Sequence, residues 1–236
     1  MKKFVIEDGF WELFPGARIG VVICRSIENS MKDTAEFKKM LRQAEREAGS
    51  YFKEEAFSSN PVIAVWRDAF KKFKTKKGAR SSIEALLKRV QKGGQIGTIN
   101  PLVDIYNSVS LRYALPCGGE DMDAFAGDLR LTTAAGNEQF VPLGSSENEP
   151  PYTGEIVYKD DKGAVCRCWN WREAQRTMLT EKTKNAFLCI ELVDEKRTNE
   201  FNSALMELAE LVSKHLGGTV ETHVLDLSKK EIDIYN

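Results

Sequence analysis

The apolar spacing of this chain changes near Leu115, and a sequence with that change cannot fold as a uniform helical bundle or a uniform sandwich. Upstream, Met31–Ala48 (MKDTAEFKKMLRQAEREA) sets Phe37, Met40, Leu41 and Ala44 on one stripe at helical period. The segment VIAVWRDAFKKFK spaces Trp66, Phe70 and Phe73 four and three residues apart, the row of a helix whose aromatics face a core. Ser81–Glu84 reads as a capping box, in which the serine hydroxyl satisfies one free backbone N–H and the glutamate reaches back to another. Ile83, Leu86, Leu87 and Val90 follow at helical spacing until Gly93-Gly94 stops the run. Asn100-Pro101 then offers an N-cap and a first-turn proline to PLVDIYNSVSLRY.

Downstream, GDLRLTTAAG, GEIVYKDDKG and AVCRCWNWR are short, bounded by glycine and rich in β-formers. Asp161–Gly163 suits a hairpin turn, which predicts antiparallel pairing of Glu155–Lys159 with Ala164–Arg172. AFLCIELV supplies another apolar run. Phe201–Leu216 is a helix with Phe201, Leu205, Leu208, Leu211 and Val212 on one side, ended by Gly217-Gly218 before TVETHVLDL. Helices first, strands in the middle, and a helix and strand last indicate an α+β fold rather than alternating βα units. No repeat or linker divides the chain, so residues 1–236 are read as one domain.

Several chemistries are poorly supplied. Two histidines, His215 and His223, leave little material for a Ser-His-Asp or Cys-His nucleophile. Cys166-x-Cys168 has no second pair to complete a zinc site, and Gly93, Gly94 and Gly97 do not lie between a strand and a helix as a phosphate loop requires. No metal or cofactor is expected. With 34 basic against 35 acidic residues, no global field draws the chain to nucleic acid or lipid. Any RNA contact must be local: the dense basic run of Lys71, Lys72, Lys74, Lys76, Lys77 and Arg80 reads as a solvated helix end, and it is also the one obvious place for phosphates. Glu7 and Asp8 interrupt the apolar residues of the N-terminus, no run is long enough to cross a bilayer, and five cysteines fit a reducing compartment, so the expectation is a cytoplasmic protein with no membrane partner.

Two stretches carry unexplained polarity. In CRCWNWREAQRT, strand alternation would put Cys166, Cys168, Asn170 and Arg172 on one face and Arg167, Trp169, Trp171 and Glu173 on the other. Either Arg167 stacks along the tryptophans of an edge strand, or Asn170 and Arg172 point into a polar cavity. In PCGGEDMDAFAGD, two glycines permit close approach of a ligand and Glu120, Asp121 and Asp123 supply acceptors; an acidic surface turn is the plain alternative. Asp104 and Asn107 share a helix face in VDIYN.

The succession NPLVDIYNSVSLRYALPCGGEDMD, LTTAAGNEQFVPLG, GEIVYKD, RCWNWRE and LTEKTKNAFLCIEL resembles the B3/B4 domain of the phenylalanyl-tRNA synthetase β subunit, and more closely the freestanding B3/B4 proteins that lack the rest of the synthetase. The similarity runs from about residue 60 to 195, leaving an N-terminal helical extension and a C-terminal helix and strand. It implies a central, mostly antiparallel sheet flanked by helices, and a pocket that in the synthetase removes tyrosine wrongly attached to tRNA. On that resemblance Asn107, Gly118, Gly119 and Thr183 take the catalytic positions. Tyr106, Pro116, Glu120, Asp121 and Gly144 take substrate-binding ones, joined by Trp169, Asn170, Trp171 and Arg172 if their strand lines the pocket. Gly118 stands where the synthetase has a pocket histidine, Tyr106 where it has threonine, and WNWREA replaces its glycine-rich A-G-x-M-G-G. The expected activity is deacylation in trans of a misacylated tRNA, with the aminoacylated 3′ end and its amino-acid moiety as partners and no DNA. Water and the neighbouring ribose hydroxyl can cleave such an ester when the protein supplies placement. The other reading is a noncatalytic module that holds a tRNA end, an amino acid or a small peptide in the same pocket.

Overall fold

The computed structural model describes residues 2–30 and 34–235. The chain runs β1 (Lys2–Ile6), α1 (Asp8–Leu13), β2 (Arg18–Arg25), α2 (Ala35–Ala48), α3 (Pro61–Phe70), α4 (Ser82–Gln91) and α5 (Pro101–Tyr113). It continues β3 (Cys117–Asp121), β4 (Leu129–Thr133), β5 (Ile156–Asp160), β6 (Gly163–Arg167), β7 (Arg172–Glu173), β8 (Ala186–Leu192), α6 (Thr198–Leu216), β9 (Thr219–Leu225) and β10 (Glu231–Tyr235). The fold class is α+β, with antiparallel sheet covered by helices. Strand pairing divides that sheet into two: a six-stranded one ordered β10-β1-β4-β5-β6-β7 and a four-stranded one ordered β3-β8-β2-β9. Only the β1–β4 pair among the described ladders is parallel.

Both faces of the inner strands β2 and β8 are buried, which explains their nearly unbroken apolar runs, while the edge strand β9 is largely exposed. Ile19, Val21, Ile23, Phe187 and Cys189 join the core between the sheets, while Val22, Cys24, Leu188, Ile190 and Leu192 join a second core under α5 and α6. Gly20 lets α6 lie close, since a Cβ there would sit 3.0 Å from the Phe201 ring. The sheets meet through Phe4 against Phe187, ring centroids 5.0 Å apart, and through Tyr158.

Several local expectations are modified. The first helix begins at Ala35, and its expected opening residues 31–33 lie outside the described residues. Helix α3 ends at Phe70, so the basic run occupies the connection to α4 rather than a helix end. Closely spaced like charges oppose further helix, while Phe73 turns back onto Phe70 and Phe14 at 5.3 and 6.2 Å. Ser81 accepts from the Glu84 N–H at 3.4 Å, but the Glu84 carboxylate pairs with Arg67 at 2.7 Å instead of closing the capping box. Asn100 caps α5 by accepting from the Val103 N–H at 3.2 Å. The expected strand 164–172 breaks after Arg167: residues 168–171 form a turn and the chain returns as β7.

Candidate functional site

That turn decides what the two tryptophans do. Cys168 and Trp169 adopt positive φ, 46° and 63°, which costs non-glycine residues energy and must be held by surrounding structure. The hold is visible. Cys168 N–H donates to Glu155 Oε1 at 2.9 Å, Trp169 N–H to the Ile156 carbonyl at 2.6 Å, and Trp171 N–H to the Arg167 carbonyl at 3.1 Å. Arg167 donates to both oxygens of Glu155, at 2.9 and 2.8 Å, with Arg167 1% and Glu155 0% exposed. Burial pushes the Glu155 carboxyl up, but the guanidinium and backbone donors override it and hold the group below its ordinary value. Arg167 therefore belongs to a buried ion pair, so the edge-strand stack on the tryptophans is excluded for it. Arg172 lies over the Trp171 ring instead, at 4.9 Å.

Trp169 goes inward, against Phe10, Phe14 and Trp66 with ring centroids 4.6 to 5.1 Å away. Trp169 also lines a cavity of about 360 Å³, a volume suited to a small ligand. This cavity opens where the two sheets part, between their edge strands β3 and β7. One wall is Gly118 and Glu120 of β3 with Phe187, Cys189 and Glu191 of β8; the other is Tyr158, Cys166 and the segment Trp169–Glu173. Leu143 and Ser82 complete the rim.

Period-2 alternation aims these side chains. On β8, Phe187, Cys189 and Glu191 face the gap while Leu188 and Ile190 face the helices. On β3 the two glycines are opposites. A Cβ on Gly118 would enter the cavity, 3.7 Å from Glu173 Oε1, whereas one on Gly119 would strike Leu188 Cδ2 at 2.5 Å on the far face.

Three carboxyl groups share this space. Glu191, 1% exposed, accepts from the Tyr158 hydroxyl at 2.6 Å and from Asn170 Nδ2, and burial raises its pKa to about 7 despite those donors. Burial also raises Glu173, at the mouth, to about 7. Glu120 is raised well above the carboxylate range by burial and by its neighbour Glu173. Asn170 also accepts from the Ser82 N–H at 3.3 Å, tying the start of α4 to the cavity wall. The three lining thiols, Cys117, Cys166 and Cys189, are free and buried, and burial pushes each far above its ordinary pKa. Without a thiolate they are weak nucleophiles and weak metal ligands. Among the described residues no group of three or more His, Cys, Asp or Glu is placed to hold a metal ion.

Of the positions singled out in the sequence, Gly118, Gly119, Glu120, Trp169, Asn170, Trp171 and Arg172 line this cavity. Asn107, Tyr106, Pro116, Asp121, Gly144 and Thr183 are not in its lining. Asn107 and Tyr106 are buried on α5, and Pro116 precedes β3, where its carbonyl accepts from Glu191 N–H at 3.1 Å. Thr183 donates to Asp121 at 2.8 Å, a bracket that fixes the end of β3. Gly144, φ 81°, turns the chain beside Leu143 at the rim. Sequence reasoning did not single out Glu191, Glu173, Tyr158 or Cys189 as site residues. The available signal was a glutamate inside the apolar run AFLCIELV, where strand burial leaves no solvent for it.

No residue of the basic run lines the cavity; Lys71 and Arg80 line a separate groove with Arg67 and Glu84. Lys71 pairs with Asp68 at 2.7 Å, Lys76 with Glu149, Lys72 lies over Phe14 at 5.2 Å and Lys74 over Tyr152 at 5.9 Å. Among the described residues Lys77 and Arg80 have no ion-pair partner, and Arg80 precedes the rim residue Ser82 by two positions.

Fold and cavity together define a class: an α+β domain of two facing sheets with a ligand-sized hollow where their edges separate. The chain belongs to the B3/4 domain family, which its sequence matches over residues 65–216, well over half its length. Among solved structures it is similar to an N-terminal fragment of the phenylalanyl-tRNA synthetase β subunit from Pyrococcus horikoshii, at 12% identity and a TM-score of 0.48. That similarity covers 92% of this chain but 49% of the other, so this chain spans about half the length of that fragment. The comparison with curated proteins gave no match. Among the described residues no helix is long and apolar enough to cross a membrane.

Proposed function

We propose that this chain hydrolyses the ester bond of a misacylated tRNA, with the aminoacyl group in the inter-sheet cavity and the terminal nucleotide at its rim. The observation that carries this reading is a cavity of about 360 Å³ with acids inside and a cation–aromatic pair, Arg172 over Trp171, at its opening. An aromatic ring and a guanidinium together bind a terminal base and its phosphate. Lys77 and Arg80, outside the lining and without an ion-pair partner among the described residues, are the cations left for the phosphates of the acceptor end.

The chemistry follows from the ionisation of the walls. No thiolate or histidine is present in the lining to attack the ester, so water is the nucleophile. Glu173 is partly exposed at the mouth and has a pKa near 7, matched to accepting a proton from that water at neutral pH. Gly118 leaves the space beside Glu173 clear, which lets the ester approach the carboxylate. Thr183 then acts from outside the cavity, by bracketing the end of β3 through Asp121, and Asn107 lies buried on α5.

Purified protein incubated with a panel of misacylated tRNAs should release at least one amino acid well above spontaneous hydrolysis, and Glu173→Gln should slow that release at least a hundredfold, in the range of a lost general base. Lys77→Ala with Arg80→Ala should leave the saturated rate unchanged while weakening tRNA binding and flattening its salt dependence. Ester loss at the background rate for every tRNA, with tRNA-end or amino-acid binding intact, would identify a noncatalytic module instead.

A further inference from the structure

The cavity interior has an electrical asymmetry that its lining does not resolve. Nearby cations are already engaged: Arg167 with Glu155, and Arg176 with both oxygens of Asp160 at 2.7 and 2.9 Å. Arg172 lies at the rim over Trp171. Among the described residues no Lys, Arg or His forms an ion pair with Glu120, Glu173 or Glu191. Glu191 receives two neutral donors, Tyr158 and Asn170. Glu120 receives less. It is 6% exposed, lines the cavity, and its Oε2 has no hydrogen-bond partner. A buried carboxyl oxygen left open in this way costs free energy that a donor recovers: the neighbouring Thr177 hydroxyl, itself buried and unpartnered, is one such donor, and a group entering the cavity is another.

We propose that the aminoacyl group this cavity selects has a side chain ending in a cation, a primary ammonium or a guanidinium, which is received by Glu120 and Glu191 at the cavity's interior. This rests on the deacylase reading for the attachment to tRNA, but the selection itself is a property of the walls. The order of burial gives the orientation. Glu173 at the mouth lies nearest the ester, while Glu120 and Glu191 lie deeper, where a side chain of four or so methylenes delivers its terminal charge. Tyr158, Phe187 and Trp169 line the apolar path for those methylenes. A terminal ammonium brings three donors, enough for Glu120 Oε2 and a share of Glu191.

The test is calorimetric titration of the wild-type chain with four amino-acid amides: L-lysinamide, L-argininamide, L-norleucinamide and L-tyrosinamide. Norleucinamide keeps the aliphatic path and lacks the charge, and tyrosinamide offers a neutral hydroxyl donor. The expected result is that lysinamide or argininamide binds at least tenfold tighter than both neutral amides, and that Glu120→Gln removes the preference. Equal or tighter binding of a neutral amide overturns the proposal, as does no binding of any of the four. If Glu120→Gln does not fold, by circular dichroism, Glu191→Gln serves as the second variant, and the wild-type ranking stands independently. Deacylation of the tRNA panel separates the two ideas. A cation preference in binding without ester loss from any tRNA keeps the proposal and ends the deacylase reading; ester loss indifferent to side-chain charge keeps that reading and ends the proposal.

Discussion

Glu155 and Glu191 are both fully buried and both help to fix the β6–β7 turn, yet the protein treats them in opposite ways. Glu155 has a cation, two backbone donors and a depressed pKa. Glu191 has neutral donors and a pKa raised to about 7. The first arrangement holds a strained turn in place. The second leaves a carboxyl group whose charge is unbalanced until something else supplies the balance. Removal of the cation should therefore damage the first site, whereas neutralising the carboxyl itself should relieve the second.

The largest expected effect comes from breaking the paired site. Arg167→Met strands Glu155 and frees the left-handed turn, and denaturant unfolding should show a loss of about 3–5 kcal/mol. Adding Glu155→Leu to it should recover most of that loss, because an apolar pair of similar volume has no charge to desolvate. Failure of the double variant to recover would mean that the backbone donors to Glu155, rather than its charge, hold the turn.

The unpaired site should respond with the reverse sign. A carboxyl whose folded pKa is raised binds more protons in the folded than in the unfolded state between pH 4.5 and about 7, so folding stability falls as pH rises through that window. For Glu191 the full shift corresponds to about 3 kcal/mol lost above pH 7. Glu191→Gln should accordingly raise stability at pH 8 and show no such gain at pH 4. Paired thermal melts at the two pH values check this; equal effects at both would show that Glu191 is not ionised by pH 8.

The adjacent glycines of β3 give the smallest and sharpest contrast. Gly119→Ala forces a methyl into Leu188 and should cost about 1–3 kcal/mol. Gly118→Ala meets nothing closer than 3.7 Å and should leave the melting temperature almost unchanged while narrowing the cavity and slowing any reaction in it.

How much of this the sequence disclosed depends on whether a feature was set locally. Helix α5 was legible because Asn100 and Pro101 form its start, and α6 because its apolar side and terminal glycine are both local signals. The α+β order was legible for the same reason. Strands β1 and β2 escaped notice, since β2 is defined by its position between β8 and β9. The 168–171 turn was read as strand because it contains neither glycine nor proline; its left-handed residues depend on Glu155, which lies 13 residues earlier. At the cavity, the glycine pair and the Asn170–Arg172 stretch drew attention by their composition. Glu173 and Glu191 were passed over because their importance arises only when two sheets face each other.

One wall of this cavity is strand throughout, from β3 and β8, while the turn 168–171, Leu143 and Ser82 contribute to the other side and the rim. Each inward side chain can therefore be exchanged while the main-chain ladder beneath it stays intact. A single substitution at an alternate position of β3 or β8 therefore reshapes the hollow without disturbing the sheet that frames it.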